Sequence, residues 1–138
     1  MPDRLISPHP NDVTDEGMKQ LESMFEAARE AHAAALRGQD RSALAVASRD
    51  LRYWSARRAT ARVVPTPTDT TEVRFGNSVS IRRSDGREQT FRIVGEDEAN
   101  PSRGTISHAS PLARALIGKR VGDVVVVGTG EVEIQAIQ

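Results

Sequence analysis

Two different hydrophobic periods divide the chain. From Val13 to Val64, apolar or small residues recur at Met18, Leu21, Phe25, Ala28, His32 and Ala35, and again at Leu44, Ala47, Leu51, Trp54, Arg58 and Ala61. Steps of three and four place each set on one stripe of a helix and suit a two-helix seam. Arg37-Gly38-Gln39-Asp40 between them is a short polar turn, so the pattern predicts an antiparallel helical hairpin. Thr14 is positioned to N-cap the first helix, with Asp15 and Glu16 facing the positive end of its dipole. Gly38 is the expected left-handed stop, and Asp40 or Ser42 the cap of the second helix. Arms of about 22–24 residues make a rod of roughly 35 Å. Met18, Leu21, Phe25, Leu51 and Trp54 make the base of the seam bulky, with Trp54 expected against Met18 and Leu21. Alanine dominates near the turn, so the far end is expected to be the weakest part.

After Val64 the period shortens. Pro65 to Thr70 contains two prolines and no period, which predicts a linker. Strand-like runs follow at Val73–Phe75, Ser78–Arg83, Gln89–Val94, Thr105–Ser107, Val124–Val127 and Val132–Ile137. Ser84-Asp85-Gly86 and Thr129-Gly130 have hairpin-turn chemistry. Glu131 to Gln135 alternates, as in a strand with one wet face, whereas Val124–Val127 is apolar throughout and reads as a central strand covered on both sides. One short helix interrupts the strands, with Ser110 as its N-cap, Pro111 at its first position and Gly118 as its stop. The expected class is α+β, a helical hairpin followed by an antiparallel sheet domain with one short helix. The boundaries are a disordered tail at 1–12, the hairpin at 13–64, the linker at 65–70 and the sheet domain at 71–138.

Composition narrows the chemistry. The 138 residues carry 19 Lys+Arg and 19 Asp+Glu, so no net field drives the chain onto nucleic acid or a membrane. The lack of cysteine excludes disulfides, zinc knuckles and thiol catalysis. No apolar run approaches the ~18 residues of a membrane span, and the proline-bearing first twelve residues match neither signal peptide nor anchor, so a cytoplasmic location is expected. Dinucleotide, P-loop, zinc-protease and serine-hydrolase motifs are all missing, so no catalytic residue, metal or cofactor is assigned. His32 on the seam reads as a packed residue, and His108 as a loop residue able to serve as a surface contact. Glu96-Asp97-Glu98 reads as a solvated turn, since three consecutive carboxylates converge poorly on a metal. Arg49, Arg52, Arg57, Arg58 and Arg62, with Tyr53 and Trp54 among them, offer a phosphate chain of RNA or DNA, or an acidic protein, a basic face. Equally, they read as a solvated face balanced by Asp15, Glu16, Glu22, Glu26 and Glu30.

Three stretches carry a resemblance: Glu88 to Ala99 (EQTFRIVGEDEA), Ile106 to Lys119 (ISHASPLARALIGK) and Val121 to Val126 (VGDVVV). Together they resemble the C-terminal domain of the GreA/GreB transcript-cleavage factor family, over roughly Glu72 to Ile137. Phe75-Gly76-Asn77-Ser78-Val79 is similar to that domain's opening strand, and the hairpin layout agrees. The resemblance implies an FKBP-like sheet domain that docks on the rim of the RNA polymerase secondary channel through His108, Ala109, Ser110, Pro111 and Arg114. It also implies a hairpin that enters the channel towards the catalytic metal ions.

The departures lie at the tip. The family's cleavage factors carry paired acidic residues there, in a stretch like GDLSENAEY, thought to help hold a second Mg²⁺. This chain has Arg37, Gln39, Asp40 and Arg41, a single carboxylate between cations, on arms that look about two turns shorter, roughly 10 Å. Ala109 stands where the family usually has Asp or Asn. The expected function is a polymerase-binding elongation regulator without cleavage stimulation and without catalysis of its own. The alternatives are an Rnk-like regulator or an interaction module with a non-polymerase partner. A peptidyl-prolyl isomerase is disfavoured, because Phe75 and Phe91 alone do not wall a proline pocket.

Overall fold

Thr14 opens the first helix as its position predicts: its Oγ1 accepts the Gly17 N–H at 3.0 Å. The computed structural model describes residues 2–138. Strand β1 (Asp12–Val13) leads into helix α1 (Asp15–Gly38), which turns back into helix α2 (Arg41–Thr60) and strand β2 (Arg62–Val63). The arms have 24 and 20 residues. Leu21, Ala28, Ala35 and Ala47 are buried between them, which matches the seam read from the spacing. The turn differs by one residue from expectation. Gly38 remains helical and Gln39 takes the left-handed conformation, at φ 54°. Asp40 then caps α2.

β1 and β2 pair in parallel, Asp12 with Arg62 and Val13 with Val63, so the hairpin is clasped at its base. In the tail before β1, expected as a disordered segment, several side chains meet partners on α2. Asp3 accepts from Arg52 Nε at 2.6 Å, and the Arg4 guanidinium lies 3.9 Å from the centre of the Tyr53 ring. Asn11 is buried and donates to the Arg57 carbonyl at 2.7 Å. Polar and cationic groups that look solvated in sequence are here matched by partners on α2.

Five strands form the second unit: β3 (Ser78–Arg83), β4 (Glu88–Val94), β5 (Thr105–Ser107), β6 (Val124–Val127) and β7 (Gly130–Ile137), in the order β5-β4-β3-β7-β6. Three pairings are antiparallel, but β4 and β5 run parallel, so the sheet is mixed. The segment after β4 returns through a 3₁₀ turn at Pro101–Arg103, and β5 restarts at the same end. Helix α3 (Pro111–Leu116) closes one face, setting Ala113 and Leu116 on a core of Val79, Ile81, Ile93, Ile106, Val125, Val132 and Ile134.

Two strand expectations change. Val73–Phe75 forms no strand; Val73 is buried and its backbone exchanges 2.8 Å bonds with Lys119 O and Gly118 N. β6 is not a central strand but an edge, with Val124 and Val126 facing out. An all-apolar run does not distinguish a doubly covered strand from an edge with one uncovered face.

Candidate functional site

The corner before α3 is built by local hydrogen bonds. Ser107 Oγ accepts the Ala109 N–H at 3.1 Å, and Ser110 Oγ accepts the Ala113 N–H at 3.3 Å. Pro111 at the first helical position removes an N–H that would have no partner there. Pro111 and Arg114 are exposed, while Ala109 and Ser110 are half-buried. His108 differs from its companions. Its ring meets the Phe75 ring edge-on at 5.6 Å, and its Nε2 is buried with no hydrogen-bond partner among the described residues. The Nε2 edge of the imidazole is therefore turned into the domain, while the residue as a whole is half-buried like Ala109 and Ser110.

At the other end of the molecule, Arg37, Gln39, Asp40 and Arg41 are all exposed on the hairpin tip. Asp40 Oδ1 accepts the Ala43 N–H at 3.1 Å, so this carboxylate is engaged in starting α2. The tip presents two guanidinium groups, an amide and one capping carboxylate.

The basic face is not the free strip the sequence suggests. Arg49 pairs with Asp50 at 3.1 Å, Arg52 with Asp3 at 2.6 Å and Arg62 with Asp12 at 2.8 Å. Arg58 lies over the Phe25 ring at 4.5 Å. Arg57 is 2% exposed and belongs to the interior. At about 100° per helical residue Arg58 points to a different side of α2 from Arg49 and Arg52, and Arg62 lies beyond the helix on β2. A phosphate chain would have to displace acidic partners from Arg49, Arg52 and Arg62.

The arrangement that sequence reading missed is the junction of hairpin and sheet. The turn after β4, read as a solvated acidic cluster, is its centre. Glu98 Oε2 accepts the N–H groups of Thr14 (3.1 Å) and Gly95 (3.2 Å), and its Oε1 accepts the Thr14 hydroxyl at 2.5 Å. Asp97 accepts the Tyr53 hydroxyl at 2.5 Å and Arg57 Nε at 2.6 Å. Arg57 also reaches Asn11 Oδ1 at 2.8 Å and Glu96 at 3.4 Å. Burial, with the hydrogen bond to Asp97 second, pushes the Tyr53 hydroxyl up to about 12. Two glycines permit the approach. A Cβ on Gly17 would lie 2.0 Å from Glu98 Oε2, and one on Gly95 would lie 2.7 Å from the Asp12 carbonyl oxygen. A signal existed: Tyr53 and Arg57 share a helix face at i, i+4, and Glu96-Asp97-Glu98 is an unbroken acidic run. Nothing local says that the two meet.

An open apolar groove of about 590 Å³ runs along the hairpin, lined by Met24, Ala27, Ala31, Val46, Asp50 and Trp54 among others. Trp54 is half-buried in this wall, not the buried anchor expected against Met18 and Leu21. Arg57 and Leu21 are the fully buried side chains at that level. No helix among the described residues is long and apolar enough to cross a membrane.

Comparison with known proteins places the sheet domain. The family described as "Transcription elongation factor, GreA/GreB, C-term" matches residues 67–138, just over half of the chain. Transcription elongation factor GreA of Chloroflexus aggregans is 54% identical over 61 residues, 44% of this chain and 39% of that protein. Transcription elongation factor GreB of Neisseria meningitidis is 53% identical over 62 residues, 45% of this chain and 38% of that protein. The matched stretch thus spans about two fifths of these curated relatives. Among solved structures, GreA factor homolog 1 of Thermus thermophilus is 22% identical, with 94% of this chain and 99% of that chain covered and a TM-score of 0.44. The family match runs from the linker through the corner before α3 and the edge strand β6 to the last residue, and on it the chain belongs to the GreA/GreB family of transcription elongation factors.

Proposed function

We propose that this protein regulates transcription elongation by docking its sheet domain on the rim of the RNA polymerase secondary channel and directing its hairpin inward, without stimulating transcript cleavage and with no catalysis of its own. The family supplies polymerase as the partner. The exposed Pro111 and Arg114, on a corner stiffened by the Ser107 and Ser110 caps, supply a docking surface. The junction supplies the aim, because a hairpin held by Thr14, Tyr53 and Arg57 arrives at one angle.

The observation that carries the reading is the state of Asp40. Cleavage by a two-metal mechanism needs a second divalent ion held beside the first. The tip offers one carboxylate, already accepting a backbone N–H, with Arg37 and Arg41 as neighbours in sequence that disfavour a cation. Such a hairpin occupies the channel without bringing a metal. It excludes factors that do.

Two measurements on one preparation test this. The protein should co-purify with core polymerase and be displaced by a competing cleavage factor. With backtracked complexes carrying 3′-labelled RNA, it should release no short 3′ fragments and should slow release by a cleavage factor. Fragment release by this protein, abolished by Asp40→Ala, would overturn the cleavage half of the proposal, and failure to co-purify would overturn the docking half. The Rnk-like or non-polymerase reading then takes its place.

A further inference from the structure

We infer that the tail before β1 is a releasable strap: Arg4 plugs into a seat made by Tyr53, Trp54 and Asp50 on α2, and while seated it braces the tyrosine that joins hairpin to sheet. The inference concerns the free chain and stands whether or not polymerase is the partner. Neighbouring turns of α2 build the seat. The Tyr53 and Trp54 rings meet edge to face with centroids 4.9 Å apart. The Arg4 guanidinium carbon lies 3.9 Å from the centre of the Tyr53 ring and 5.3 Å from that of Trp54. Its Nη1 is 3.5 Å from Asp50 Oδ1. A planar guanidinium is suited to this, stacking on a ring while its edge reaches a carboxylate. Asp3 adds an outer fastening, accepting from Arg52 Nε at 2.6 Å. Asp3-Arg4 on the tail therefore matches Arg52 and Asp50 on the helix, and exchanging the two partners would set like charges together.

The segment behind the seat is held far less. Among the described residues, residues 5–10 make no backbone hydrogen bond to another element, and His9 N–H donates only locally, to Ser7 Oγ at 3.1 Å. Leu5 is 95% exposed and Ile6 is exposed too, so apolar burial does not fasten the strap. The next anchor is Asn11, whose Nδ2 donates to the Arg57 carbonyl and to Thr60 Oγ1. The seven residues from Arg4 to Asn11 could span roughly 23 Å, whereas the four helical residues from Tyr53 to Arg57 rise only about 6 Å. The segment therefore arches away from α2. Its far end is held by two ion pairs and a cation over aromatic rings, all at least partly solvated. Each contact of this class shifts an equilibrium by at most about fivefold, and salt screens the ion pairs. The strap can open while the hairpin stays folded.

Tyr53 gives the opening a consequence. Its hydroxyl donates to Asp97 Oδ1 on the sheet unit at 2.5 Å, while Arg4 covers its ring. The seated guanidinium limits rotation of the ring and keeps the hydroxyl on Asp97. On release Tyr53 regains that freedom. Arg57 on Asp97 and Glu98 on Thr14 still hold the units together, so release loosens the hairpin's angle without undocking it.

Two readouts test the strap on the full chain. Trp54 is the one tryptophan, so its emission reports the seat. Between about 20 mM and about 1 M sodium chloride, where the Debye length falls to about 3 Å, the emission should shift to the red. Arg4→Ala should show the shifted emission at every salt concentration with unchanged circular dichroism, Arg4→Lys should restore part of the seated signal, and Asp3→Asn should move the transition to lower salt. The chain has no cysteine, so spin labels at Ser42→Cys on the hairpin tip and Ser84→Cys on the β3–β4 turn report the angle between the units. A tilt of about 10° at the base moves the tip of a 24-residue helix by about 6 Å. At low salt the distance distribution by double electron–electron resonance should broaden in Arg4→Ala and be restored towards its original width in Arg4→Lys. The inference is overturned if Arg4→Ala and the unmodified chain give the same emission at low salt, if both respond to salt alike, or if Arg4→Ala leaves the distribution as narrow as before.

Discussion

Arg57 on α2 donates its Nε–H to Asp97 Oδ2 at 2.6 Å, across a sequence separation of 40 residues. The guanidinium is 2% exposed and belongs to the largest fully buried side chain among the described residues. Removing one partner of a buried pair strands the other charge, which typically costs about 3–5 kcal/mol. Arg57→Ala is therefore expected to lower stability by roughly that amount in a denaturant titration, far more than Arg52→Ala, whose exposed pair with Asp3 is worth at most about 1 kcal/mol. Equal effects of the two would mean that the junction does not hold the hairpin.

Tyr53 is the one tyrosine, so phenolate absorbance reports it alone. Its folded value of about 12 lies above the usual value of about 10. The folded state thus holds the proton more tightly than the unfolded state. The stabilisation is complete below pH 10 and is lost as pH rises from about 10 to about 12. The titration midpoint of the folded chain should sit near the upper figure. Asp97→Asn removes the charge that opposes ionisation and should bring the midpoint down.

Gly17 and Gly95 should respond differently to alanine. In Gly17→Ala the new Cβ displaces the Glu98 carboxylate, the end of a flexible side chain, at the cost of its bonds to Thr14. A gain of up to about 1 kcal/mol in helix propensity partly offsets that loss. In Gly95→Ala the obstacle is the Asp12 backbone, which yields only if β1 moves. Thermal melts should show Gly95→Ala as the more damaging change. The reverse order would place the tight contact elsewhere.

Arg114 is exposed on α3 and the Nε2 edge of His108 is turned inward. Arg114→Glu should weaken polymerase binding about tenfold or more, roughly 1.4 kcal/mol, with an unchanged melting temperature. His108→Leu should leave binding intact and hold or raise stability, because it removes a buried polar atom with no partner among the described residues. Loss of binding in the histidine variant alone would move the docking surface to the His108 backbone and its loop.

The hairpin, its caps at Thr14 and Asp40, the Ser110-Pro111 helix start and the β3–β4 and β6–β7 hairpins were all legible in the sequence. Each depends on residues within about four positions of one another, where periodicity and capping chemistry act. The family match likewise follows from runs of sequence. What the residues did not reveal is which surfaces meet.

Sequence alone determined the helical hairpin, the two β-hairpins, the start of α3 and the divergent tip, because helix spacing, turn chemistry and the identity of Asp40 are properties of short segments. Only the tertiary structure decided that Glu96-Asp97-Glu98 is a junction and not a solvated turn. It also decided that Arg57 is interior, that the Nε2 edge of His108 faces inward, that β5 runs parallel to β4 and that β6 is an edge. A charge or an apolar run is neutral about its neighbours. Its burial is set by segments up to 84 residues away, as Thr14 and Glu98 are, and by the docking of one unit on the other.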